Sequence, residues 1–133
     1  MHELVIVSGI IEAVSNYAKQ EGGRVVRFKV AVGELASFSI ELIRELLRNL
    51  VKGTELEEAE FSVEAEKAEV RCLSCGATLG FSELIEPLPE DEREMIHFLP
   101  ELVSSFSKCP RCGGRDFVIE SGRSVRVVEV ELE

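Results

Sequence analysis

Residues 59–76 read AEFSVEAEKAEVRCLSCG. The first part alternates, with Phe61, Val63 and Ala65 expected on a buried face and Ser62, Glu64 and Glu66 on the other. Successive side chains of a strand point to opposite faces, so the pattern predicts a half-buried β-strand. That strand delivers the chain to Cys72-Leu-Ser-Cys75-Gly76, and a matching knuckle, Cys109-Pro-Arg-Cys112-Gly113-Gly114, follows after a 33-residue spacer, Gly76 to Lys108. A strand that feeds a cysteine knuckle implies a sheet with a metal-stapled region projecting from its strand ends.

In each C-x-x-C knuckle two thiolates converge on one cation, and glycine lets the chain turn behind the second ligand. Two knuckles give four sulfurs, the donor set of a tetrahedral Zn²⁺ site made by Cys72, Cys75, Cys109 and Cys112. An iron–sulfur centre, a redox pair or an open site are the alternatives for the same residues. A closed site leaves no position for substrate. The zinc is therefore read as structural, folding a small satellite that cannot build a core of its own. The spacer is long against the ~15–20 residues of a simple ribbon, so residues 77–108 must carry inserted structure. This insertion holds His97, in EMIHFLPELVSSF (94–106). Pro100 and Glu101 suit the start of a short helix to Phe106, with His97 just ahead of it.

Outward from the knuckles the patterning is regular. Leu4 to Gln20 repeats apolar residues at helical spacing (Val7, Ile10, Ile11, Val14, Tyr17, Ala18) and stops at Gly22-Gly23. Val26, Phe28, Val30 and Val32 share one strand face, with Arg27 and Lys29 on the other. Ser37 or Ser39 can cap a second helix carried by Ile40, Ile43, Leu46, Leu47 and Leu50 and ended by Gly53. DFVIE (116–120) can be a short strand. In VRVVEVELE (125–133) the apolar face switches between Val125/Val127 and Val128/Val130/Leu132, which predicts a bulge at Val127-Val128. The long strands before and after the cysteine region are expected to pair as neighbours. The fold class is then α+β: two helices on a small mixed sheet of about three strands, with a separate Cys₄ zinc-ribbon-like domain inserted before the last strand. The expected domains are residues 1–70 with 121–133, and residues 71–120. Arg71 and Glu120 are candidate hinges, and PLPEDERE (Pro87–Glu94) is the most linker-like stretch.

The chain has 133 residues and a net charge of −10. Lys and Arg against Asp and Glu number 8 against 13 in residues 1–70 and 7 against 12 in residues 71–133, so each part carries −5 and neither is a concealed basic module. Nucleic-acid binding leans on phosphate neutralisation by Lys and Arg, which this balance opposes. A zinc-ribbon module for protein interaction or nucleic-acid association, without a nickel role, is the competing reading. No secretion signal is visible, and no apolar run approaches the ~20 residues that span a bilayer. The expected location is the cytoplasm, without membrane contact. No P-loop, H-E-x-x-H or nucleophile elbow is present, so an enzyme is not expected.

The chain opens Met1-His2-Glu3. The Met1 α-amine, the His2 backbone nitrogen and the His2 imidazole can close two fused chelate rings on one metal, with Glu3 supplying a fourth ligand. Deprotonated amide ligation favours square-planar Ni²⁺ or Cu²⁺. The plainer reading makes Glu3 a helix N-terminal acid and His2 a solvated end residue. His97 likewise reads either as a packing residue or as a further ligand.

MHE at the start, VGELASFSIELIREL (32–46), the knuckles ending CPRCGG and the closing SGRSVRVVEVELE together resemble the HypA family of nickel metallochaperones. The resemblance covers essentially the whole chain. It implies a nickel-binding α/β domain and a Cys₄ zinc domain, with Ni²⁺ held at Met1, His2 and Glu3 and zinc at Cys72, Cys75, Cys109 and Cys112. It also implies delivery, with a nucleotide-hydrolysing HypB-type partner, to the large subunit of a [NiFe] hydrogenase. The long spacer is similar to that of archaeal members, in which an inserted histidine, here His97, joins the nickel site. Gly33-Glu34-Leu35 joins strand to helix in that pattern, and Glu34 is expected to serve the turn rather than a metal.

Overall fold

The alternating stretch is two strands, interrupted at Lys67 and Ala68. The computed structural model describes residues 2–133, apart from the His2 side chain. In chain order it contains α1 (His2–Glu21), β1 (Val25–Gly33), α2 (Ile40–Leu50), β2 (Glu60–Glu66), β3 (Glu69–Cys72), β4 (Thr78–Gly80), α3 (Phe81–Ile85), α4 (Glu90–Phe98), α5 (Val103–Phe106), β5 (Phe117–Ser121) and β6 (Val125–Leu132), with a 3₁₀ turn at Pro100–Leu102. The strands form two sheets, ordered β2-β1-β6 and β4-β3-β5. Two compact units result: Met1–Val32 with Ser37–Ala65 and Val125–Glu133, and Gly33–Ala36 with Glu66–Ser124.

In the first unit, α1 packs on α2 and β6. Val7, Ile10, Val14 and Ala18 of α1 are buried with Phe28, Val30 and Val32 of β1, Ile43 and Leu47 of α2, and Val63 of β2. The Phe28 and Phe61 rings stack with centroids 5.6 Å apart. Ser39, not Ser37, caps α2, accepting from Leu42 N–H at 3.2 Å. The α1 stop at Gly22-Gly23 is closed by Gly23 N–H on Ala18 O at 3.1 Å, the backbone bond of a Schellman end.

The flanking strands do not pair as neighbours in this unit: β1 lies between β2 and β6. Charge supplies the reason. On the outward face Arg27 meets Glu60 at 2.9 Å and Glu131 at 3.1 Å, and Lys29 meets Glu64 at 3.9 Å and Glu129 at 3.8 Å. Pairing β2 directly with β6 would oppose glutamates to glutamates, and like charges across a ladder destabilise it. These ion pairs advance together along β1 and β2, so the two strands run the same way, as the α2 crossover between them requires. β1 and β6 are antiparallel. The sheet is therefore mixed.

The bulge is where the repeated valines placed it. Lys29 pairs Glu129 and Val30 pairs Val127, which leaves Val128 as the extra residue. Val125, Val127, Val130 and Leu132 then all pack on one core. A second register shift, between Val25 and Arg27, buries Val25 and leaves Val26 only half-buried, against the expected face.

The second unit is no coreless satellite. Val70, Leu79, Phe81, Leu84, Ile96, Val103 and Phe117 are buried together with Cys72 and Cys109. The insertion supplies most of these side chains, which a minimal ribbon lacks. Pro87–Glu94 is not a linker, since α4 begins at Glu90 after Pro89. The same acidic run that reads as solvated suits a helix start, where Glu90, Asp91 and Glu92 face the positive end of the helix dipole. His97 lies within α4 rather than ahead of a helix. Arg71 and Glu120 are not hinges: they sit on adjacent strands and form an ion pair at 2.9 Å.

Beyond Val63 the expected alternation inverts, with Ala65 exposed and Glu66 half-buried. Glu66 Oε1 accepts from Gly122 N–H at 3.0 Å, a partner 56 residues away. Glu34 serves the Gly33 turn as expected, with Ala36 N–H on Gly33 O at 3.0 Å. Its carboxylate does more: Oε1 accepts from Ala68 N–H at 2.8 Å and Oε2 from Ser82 Oγ at 3.1 Å. These bonds fill the gap between β2 and β3.

Candidate metal centres

β3 ends on Cys72, whose neighbour across the ladder is Phe117 at the start of β5. The two knuckles repeat one hydrogen-bond pattern. Cys72 N–H donates to Ala77 O at 2.9 Å and Gly76 N–H to Cys72 O at 2.8 Å; Cys109 N–H donates to Gly114 O and Gly113 N–H to Cys109 O, both at 2.8 Å. Each turn needs the left-handed backbone, with φ 78° at Gly76 and 77° at Gly113, which a side chain would strain. Leu73 N–H on Asp116 O at 2.8 Å ties the first knuckle to the chain leaving the second.

The four Sγ atoms all lie within 4.8 Å of one another. Cys72 and Cys112 are 3.6 Å apart, Cys75 and Cys109 3.8 Å. A disulfide requires a sulfur separation of about 2.05 Å. A tetrahedral ion bound at about 2.3 Å sets its sulfurs about 3.8 Å apart, so the geometry fits one such ion. Cys72 and Cys109 are buried and Cys75 and Cys112 exposed.

Backbone N–H groups point at the sulfurs: Arg111 N lies 3.4 Å from Cys109 Sγ and Gly114 N lies 3.3 Å from Cys112 Sγ. The N–H of Cys75, with help from that of Ser74, draws the Cys72 thiol down to about 7. For Cys109, desolvation is outweighed by the N–H groups of Cys112 and Arg111, and its pKa falls. Cys112 goes the other way. The Gly114 N–H favours its thiolate, but desolvation and the three neighbouring thiols push it up to about 12. Four like charges cannot gather at this spacing without a counter-charge, so the set is built for a cation.

The other expected ligands are not brought together in the described residues. Met1 and the His2 imidazole lie outside them. α1 begins at His2 and has Glu3 in its first turn. His97 belongs to the second unit, on the exposed side of α4, with its ring edge-on to Phe98 at 5.8 Å. Sequence reasoning missed the carboxylates of Glu34 and Glu66. The one available hint was an acid directly after each strand's alternating run.

An α+β unit joined to a separate unit whose paired knuckles converge four thiols defines a small metal-handling protein. Comparison with known proteins narrows the class. A family model described as hydrogenase/urease nickel incorporation, metallochaperone, hypA, matches residues 1–132. The hydrogenase maturation factor HypA of Pyrococcus horikoshii is 38% identical over 134 residues, covering 100% of this chain and 96% of the relative. That of Methanopyrus kandleri is 30% identical over 135 residues, covering 100% and 94%. The solution structure of the Ni metallochaperone HypA from Helicobacter pylori is similar with a TM-score of 0.60 at 19% identity, over 98% of this chain and 96% of that one. A second solution structure of a HypA protein gives 0.65 at 20% identity, over 100% and 97%. The two structures show likeness of fold. The chain belongs to the HypA family, the nickel metallochaperones of hydrogenase maturation. Among the described residues no helix is long and apolar enough to cross a membrane.

Proposed function

We propose that the chain carries Ni²⁺ at its amino terminus while a structural Zn²⁺ closes the four-cysteine site. The family match from residue 1 to residue 132 is the observation that carries this reading. Nickel is held by the Met1 amine, the His2 backbone nitrogen and imidazole, and Glu3, with His97 as a further ligand. Helix geometry supports the amide part, because N–H groups of a first turn have no i−4 carbonyl to bond and α1 begins at His2. The convergent sulfurs support zinc, whose borderline-soft character and tetrahedral preference match four thiolates. The unit containing α1 is the nickel-binding domain and the unit containing the four cysteines the zinc-binding domain. The chain performs no catalysis itself. It works in the cytoplasm with a HypB-type nucleotide-hydrolysing partner, and the nickel goes on to the large subunit of a [NiFe] hydrogenase.

Metal analysis and nickel titration of protein with its native amino terminus test this. About one Ni²⁺ is expected in addition to zinc, with the spectrum of square-planar low-spin nickel. His2→Ala should abolish nickel binding and leave zinc in place, and an N-terminal tag should damage the site by removing the free amine. His97→Ala should weaken nickel binding without removing it. Full nickel affinity in His2→Ala would falsify the assignment.

A further inference from the structure

Helix α4 turns two unlike faces to its surroundings. Ile96 is fully buried, anchoring the inner face in the second unit's core. Met95 and Phe98 lie at i and i+3, Leu99 caps the helix end beside them, and the three are 44%, 79% and 51% exposed. Residues at that spacing are neighbours on one side of a helix. A single exposed apolar residue is ordinary, but three adjacent ones, with an aromatic ring almost wholly in solvent, form a patch that marks an interaction site. The same side continues toward the helix start as Asp91 and Glu94, four residues before Met95 and Phe98, and both are exposed. Among the described residues neither takes part in an ion pair. The remaining charges of the helix are Glu90, Glu92 and Arg93, and Glu101 just beyond it is engaged by Arg123.

We infer that this outer face of α4 is a docking surface for a partner protein that offers an apolar groove with a basic rim. Charge selects that occupant. A second copy of this chain would bring another net −10 and set acid against acid, and an anionic membrane surface would repel Asp91 and Glu94. An amphipathic helix read through i, i+3 and i+4 anchors is a recurring recognition mode, with the aromatic residue as the main anchor. Apolar groups then supply the contact, while the acids steer the approach and set its salt dependence.

The inference rests on the proposed function only for its probe, the purified nucleotide-hydrolysing partner from the same organism. Full-length wild type, Phe98→Ala, Met95→Ala and the double variant Asp91→Asn/Glu94→Gln are titrated with it at low and high salt, with melting curves to verify folding. Phe98→Ala should weaken binding about tenfold or more and Met95→Ala less. The charge variant should slow association at low salt and match wild type at high salt. Equal affinity of wild type, Phe98→Ala and Met95→Ala overturns the inference, as does a wild-type dimer that Phe98→Ala dissociates. Absence of binding by wild type overturns it too. Nickel titration of the wild type reports separately on the chaperone reading, which can fail while the docking result stands.

Discussion

Loading of the four-cysteine site should release protons in a number set by the uneven thiols. An ion binds thiolates, so every thiol whose pKa lies above the working pH must give up a proton. Cys112, pushed up to about 12, is protonated in the metal-free set throughout the usable range. Cys72, drawn down to about 7, is largely ionised at about pH 8 and largely protonated at about pH 6. At least one proton per ion should therefore be released at about pH 8 and close to one more at about pH 6. Apparent affinity should rise at least about tenfold per pH unit near pH 8, and close to ten times more steeply per pH unit near pH 6. Competition of Zn²⁺ against a chelator across this range gives the slope. Calorimetry in two buffers of different ionisation heat counts the protons directly. Release of fewer than about half a proton at pH 8, or a slope that does not steepen toward pH 6, would refute the reasoning.

Gly122 has φ 83°, and a Cβ there would lie 2.5 Å from Ala68 Cα. Gly122→Ala combines a left-handed side chain with a backbone clash, about 3 kcal/mol together, and should lower the melting temperature by about 10 °C or more. Phe28→Ala empties the centre of the first core and should cost about 3–5 kcal/mol in denaturant unfolding. Chelation of the metal from the cysteine site should increase amide exchange at Cys72–Gly76 and Cys109–Gly114 while Ile96 and Val103 stay protected, because the insertion core does not consist of the ligands; complete loss of that protection would contradict this.

Much of this was legible in the residues, and the failures share a cause. The knuckles, the capping serine and the stop at Gly22-Gly23 are local devices, decided within a few residues. The bulge was legible because two adjacent valines cannot share one strand face. What escaped notice depends on distant partners. The inversion at Ala65 and Glu66 is set by an N–H at Gly122, and the interruption at Ala68 by the Glu34 carboxylate. Strand order could have been read from charge, since Arg27 and Lys29 stand on one strand and the acids on two others. Apolar alternation alone is silent about neighbours. α4 was hidden because proline and acids suit both a linker and a helix start. At the metal centres the spacing disclosed four convergent cysteines, whereas no spacing could disclose which thiol resists ionisation.

The extra residue at Val128 makes the length of the final strand a counted quantity. Were the same residues paired as a regular ladder, with Val128 in line rather than bulged out, only one side of it could keep its register. Either Val125 and Val127 would exchange places with Arg126, or Val130 and Leu132 with Glu129 and Glu131. One set of core contacts would be replaced by charge. The bulge also sits on the outermost strand of its sheet, where an interruption of the regular ladder is a poor template for another chain. A single misfit residue thus acts both as a spacer that keeps two halves of a strand in phase and as a guard on an open edge.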